Sequence, residues 1–174
     1  MKRKSWPAAL AVVFAGALAI AQEAGEPIPF AKLLPFLPDN VDGFVADKAE
    51  GSTTAAMGFK VTTVSRTYHQ GEKGSDKTVS VRITDGTGNQ FFGAAHAMGP
   101  EFSHQSTDGY EKRFQLDAYP ALEKYDNHGK TGSLTVFVSD RFLIEIETNG
   151  LDSKALQEWW KKLDIEKLKA TKAS

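Results

Sequence analysis

The chain contains no cysteine. Disulfides, redox thiols and thiolate metal sites are therefore excluded, and stability rests on packing alone. Histidine is scarce: His69, His96, His104 and His128 are the whole set. No two of them form the H-x-x-x-H or H-E-x-x-H pair that would place two ligands on adjacent turns of a helix. No G-x-S-x-G is present, so the strained serine turn of α/β hydrolases is missing. No long basic run exists either, which argues against nucleic acid or an anionic membrane as the main partner.

What is present begins with one apolar run, residues 7–20. Lys2, Arg3 and Lys4 precede it, and Ala19-Ile20-Ala21 follows as a small-x-small cleavage site before Gln22. That order is a secretory signal peptide. As a helix the run would cover about 21 Å, short of the ~30 Å hydrocarbon core, so cleavage is expected rather than anchoring. Without cysteine a lipid-modified N-terminal cysteine is impossible, and no adjacent arginine pair directs twin-arginine export. The expected product is a free soluble domain, periplasmic or extracellular. Without Lys2, Arg3 and Lys4 the 21 basic residues fall to 18 against 22 acidic ones, a charge of −4.

The domain plan reads as a signal peptide at 1–21, a linker at 22–29, one domain at 30–170 and a polar tail at 171–174. Glu, Gly and Pro break up the linker. Phe30, Leu33, Leu34, Phe36 and Leu37 form a short apolar stretch, expected to tuck against the domain in one or two helical turns before Pro38 ends it.

Strand signals dominate from Phe44 onward. Val79, Val81 and Ile83 alternate with Ser80, Arg82 and Thr84, and Tyr110, Phe114 and Leu116 with charged neighbours. The clearest element is a hairpin at 133–148. A two-residue loop would send its two apolar sets to opposite faces. The three-residue loop Ser139-Asp140-Arg141 pairs Val138 with Phe142, Val136 with Ile144 and Leu134 with Ile146, so all six face one core. Phe137 and Leu143 then become neighbours on the other face.

Two helices are expected. Asn89 caps one running to Met98, with Phe91, Ala94, Ala95 and Met98 on one stripe and Phe92 beside it. Asp152 caps a second, amphipathic one, whose buried face is Leu156, Trp159, Trp160 and Leu163. The fold class expected is α+β: an antiparallel sheet of about six strands, two main helices packed on one face, and a closing amphipathic helix near the C-terminus.

Element order over residues 59–168 resembles small exported PsbP-like proteins. The resemblance is carried by the Asp140-Arg141-Phe142 hairpin leading into Gly150-Leu151 and the closing helix. It implies a binding or accessory role rather than catalysis, and transfers no functional residue.

Three functional readings follow. The first is a non-catalytic exported domain that binds an envelope protein through an apolar spot, Phe137 and Leu143, on a polar sheet face. The second is a small-ligand carrier whose pocket between sheet and helices is lined by Phe91, Phe92, Met98 and Trp160. The third is a metal-assisted hydrolase using His96 and His104. Asp85, Thr87 and Asn89 have calcium-loop spacing, but Gln90 stands where that loop needs glycine and His96 where it needs its last acid, so a tight turn and helix cap is the simpler reading. No cofactor, catalytic residue or metal ligand is assigned, and no membrane anchor is expected after signal cleavage. Oligomeric state is not legible.

Overall fold

A computed structural model of the chain describes residues 26–56, 59–86 and 99–173. The signal segment lies outside the described residues, as does the whole of the expected helix at 89–98 with its Phe91, Phe92, His96 and Met98.

Among the described residues, nine antiparallel strands form one sheet. They are β1 (Phe44–Ala46), β2 (Glu50–Ala56), β3 (Phe59–Gln70), β4 (Thr78–Asp85), β5 (Phe102–Gln105), β6 (Gly109–Leu116), β7 (Tyr119–Asp126), β8 (Thr131–Val138) and β9 (Phe142–Asn149). The spatial order is β1-β3-β4-β9-β8-β7-β6-β5. β2 also pairs with β3, along the same edge as β1, so the two behave as one edge strand broken at residues 47–49.

The expected α+β class is corrected: this is a predominantly β fold with 15% helix. The helices are short: α1 (Phe30–Leu33), a 3-10 turn (Leu34–Phe36), α2 (Lys154–Trp160) and α3 (Ile165–Ala170). The expected closing helix ends early, at Trp160, and Ile165–Ala170 form a separate short helix, which Asp164 caps by accepting a hydrogen bond from the Lys167 backbone N–H. Ser153, not Asp152, stands at the N-cap position of α2, and its side chain makes no capping hydrogen bond. About six strands were legible because only those alternate. β2 reads EGSTTAA and β5 reads FSHQ with every residue exposed, and neither carries an apolar face.

The hairpin register is as the sequence predicts: Val138 opposes Phe142, Val136 opposes Ile144, Leu134 opposes Ile146, and Phe137 opposes Leu143. Positive φ at Ser139 and Asp140 (53° and 52°) gives the tight reversal such a loop needs.

One face of the sheet is the core. Val64, Val79, Val81, Ile83, Leu134, Val136, Ile144 and Ile146 are fully buried there. α2 lays Leu156, Trp159 and Trp160 on them. The Trp159 ring sits 5.1 Å from Phe44 and 4.5 Å from Tyr68, centroid to centroid. Trp160 donates its indole N–H to Asp117, 2.7 Å away in the β6–β7 turn. Both tryptophans therefore act as packing residues.

The N-terminal strap closes the other part of this layer. Ile28, Leu33, Phe36 and Leu37 are buried, while Phe30 stays 44% exposed. Polar pins hold it down. Asp85 accepts from the Ile28 N–H at 2.6 Å, Tyr68 donates to the Pro38 carbonyl at 2.9 Å, and Arg66 donates to the same carbonyl and to Asp39. Burial pushes the Tyr68 hydroxyl up to about 12.

Among the described residues, one core hydroxyl lacks a partner. Thr148 Oγ1 is buried and unbonded, close to Gly132, where an added Cβ would come within 2.9 Å of it and of Leu156. A buried hydroxyl without a hydrogen bond costs stability. Thr148→Val is expected to raise the unfolding free energy by about 1 kcal/mol. Urea denaturation checks this; a loss of stability would show that the hydroxyl is satisfied.

Among the described residues, no helix is long and apolar enough to cross a membrane.

Candidate functional site

The second face of the sheet is polar, and its side chains fall into rows across the strands. One row runs His104, Glu111, Lys124, Ser133, Glu147, Ser80 and Thr67, from β5 to β3. The next runs Asp126, Thr131, Asn149, Thr78 and His69. Over these two rows the sheet surface is concave, and the hollow holds an open cavity of about 680 Å³. Six strands at ~4.8 Å spacing make it roughly 24 Å across. A smaller hollow of about 110 Å³ continues it toward β3, sharing Ser80 and Glu147.

Its floor follows from sequence alternation. Each strand that buries valine or isoleucine on one face must present the residues between them on the other. Here those residues are Thr78 and Ser80 from β4, and Thr131 and Ser133 from β8. Short hydroxyl side chains leave the hollow open and give it donors and acceptors.

Charged side chains line the hollow as well. Asp108, Glu111, Asp126 and Glu147 line the cavity against a single ammonium, Lys124. Lys124 already pairs with Glu111 at 3.2 Å, and Asp108 sits 3.0 Å from His128. Asp126 accepts the Gly129 N–H. Glu147 is exposed and makes no ion pair among the described residues. The hollow is therefore net acidic and hydroxyl-floored. It can accept hydrogen bonds from, and pair with, cationic groups.

The residues expected from the sequence fall in different places. Phe137 and Leu143 do lie side by side on the polar face, each half-buried. They stand four residues along β8 and β9 from Ser133 and Glu147, about 13 Å from the hollow. Trp160 is buried beneath α2. His104 lines the hollow, but among the described residues no group of three His, Asp or Glu is placed to hold a metal. Of the two outward glutamates of β9, Glu145 pairs with Arg82 at 3.5 Å and lines the smaller hollow, while Glu147 lines both. Asp85, read as the first residue of a turn, is a buried anchor bonded by both Arg141 Nε and Nη2 at 2.9 Å.

A second buried carboxylate had no sequence signal. Glu123 is 1% exposed on the core side. It accepts from the Tyr110 hydroxyl, from Lys112 Nζ at 2.9 Å and from Gln157 Nε2 at 2.8 Å. Burial, helped by that Glu123 contact, pushes the Tyr110 hydroxyl up to about 12. With its acceptors satisfied, this cluster ties α2 to the β6–β7 wing.

No protein-family model matches the chain, and neither the curated proteins nor the solved structures searched yield a match.

Proposed function

We propose that this is an exported, non-catalytic binding domain whose concave polar sheet face receives a cationic segment of a partner protein in the cell envelope. The observation that carries it is the open hollow across β4 to β5, lined by hydroxyls and by four carboxylates against one lysine. Opposite charge across an interface steers encounter and sets specificity. The volume falls within the ~300–1,000 Å³ of small-ligand pockets, yet the hollow is open where such pockets are enclosed. That shape favours a protein segment over a carried small molecule. The signal-like N-terminus supports export, and the PsbP-like element order supports an accessory role. The apolar pair Phe137 and Leu143 lies on the same face and would extend the contact.

A ten-residue lysine–glycine peptide titrated into the mature domain tests this. Binding is expected to weaken with added salt. Glu147→Lys is expected to weaken it roughly five- to tenfold, as reversal of an interface charge does. Binding that ignores both salt and Glu147→Lys, or no binding at low salt, would overturn the proposal.

A further inference from the structure

At one end of the polar face, β3 gives way to the turn at residues 71–77 that leads into β4. His69 stands beside this turn with its side chain largely covered. Its Nδ1 lies 3.0 Å from the Ser75 carbonyl oxygen, and its Nε2 lies 3.0 Å from Asp47 Oδ2. Both partners are acceptors. A neutral imidazole has one N–H and can satisfy only one of them; an imidazolium has two and satisfies both. Swapping the tautomer does not help, because each choice leaves a ring nitrogen lone pair facing an oxygen.

We propose that His69 is a charged clasp: as imidazolium it staples the break between β1 and β2, through Asp47, to the β3–β4 turn, through Ser75, and loss of its proton opens that turn.

The charged groups facing the ring are few. Asp47 approaches from the β1–β2 connection, and Lys73, from the turn, lies 3.6 Å from Asp47 Oδ1. The residues opposite His69 in register are Val45 on β1 and Thr78 on β4, both uncharged. The Ser75 carbonyl and the Asp47 hydrogen bond hold the His69 pKa above its ordinary 6.5, against burial and Lys73. The His69 hydrogen bond in turn holds Asp47 below the usual carboxylate range. A histidine whose folded pKa is raised stabilises the fold fully below its unfolded pKa, and that contribution is lost as pH rises through the folded value. For a lowered aspartate the contribution is lost as pH falls through its folded value. The clasp is therefore closed from the acid side of neutrality up to the raised pKa of His69, and opens at both extremes.

The turn is also bonded to the hollow. Asn149, a lining residue, donates its side-chain N–H to the Asp76 carbonyl at 2.8 Å, and Thr78 lines the hollow as well. Opening the turn frees the Asn149 amide in the hollow, so the clasp would regulate that surface. This consequence rests on the proposed binding role; the clasp itself does not.

The test is an NMR titration of the mature protein without any ligand. The His69 ring nitrogens are expected to report imidazolium at pH 6 and a midpoint above 6.5. Amide protection at residues 72–76, corrected for intrinsic exchange, is expected to fall roughly tenfold through that midpoint. His69→Gln is expected to show the unprotected turn at every pH. Asp47→Asn, which keeps the histidine, is expected to move the midpoint down toward 6.5. A neutral ring at pH 6, a midpoint at or below 6.5, or protection that ignores pH would overturn the clasp. Peptide binding to the hollow is measured separately, so failure of either reading leaves the other standing.

Discussion

Asp85→Ala is expected to lower the unfolding free energy by about 3–5 kcal/mol, the cost of removing one partner from a buried ion pair. Asp85 is wholly buried at the end of β4. Its two oxygens take the fork of Arg141, from the β8–β9 loop, and the backbone N–H of Ile28, from the N-terminal strap. Alanine leaves a partly covered guanidinium without its carboxylate and a buried N–H without an acceptor. Domains of this size have about 5–15 kcal/mol in total, so the loss is a large share. Its pattern matters as much as its size. The strap around Ile28 is expected to become protease-sensitive before the sheet unfolds. Asp85→Asn keeps the volume and one acceptor and is expected to lose less. Urea denaturation with limited proteolysis checks all three statements; an Asp85→Ala variant within 1 kcal/mol of the parent would refute the anchoring role.

Trp159→Ala is expected to cost a similar 3–5 kcal/mol by a different route. The ring is 2% exposed and lies against Phe44 and Tyr68 at the centre of the layer that α2 makes with the sheet. Truncation leaves a cavity that the surrounding strands, fixed by their hydrogen bonds, cannot close. Trp159→Phe retains part of the ring contact and is expected to cost less than half as much. Thermal and urea unfolding measure both. Equal losses for the two variants would show that the contact with Phe44 and Tyr68 contributes little.

Some of this architecture was legible in the sequence because burial forces it. The 133–148 hairpin had one register that put six apolar residues on one face, and that register forms. The same logic placed Phe137 beside Leu143. β2 and β5 were invisible because edge strands are held by backbone pairing, and small or exposed residues leave no period to read. The closing helix was read too long because Leu156, Trp159, Trp160 and Leu163 fit one continuous stripe, whereas the helix ends at Trp160 and Leu163 lies in the turn before the next one.

The candidate site was less legible still. Thr78, Ser80, Ser133 and Glu147 are the polar half of an alternating pattern, which predicts only that they face away from the core. That six strands curve around them is a property of the whole sheet's twist. The partners of Asp85 and Glu123 lie on distant elements, and no local spacing brings them together.

The central claim is that the polar hollow, not the helix layer, is the binding surface. Backbone amide shifts of the labelled domain, recorded with and without the lysine–glycine peptide, test it most directly. The expected changes are at Ser80, Ser133 and Glu147, with α2 unmoved at Leu156 and Trp159. Shifts centred on α2 and the N-terminal strap, with the hollow unchanged, would contradict it.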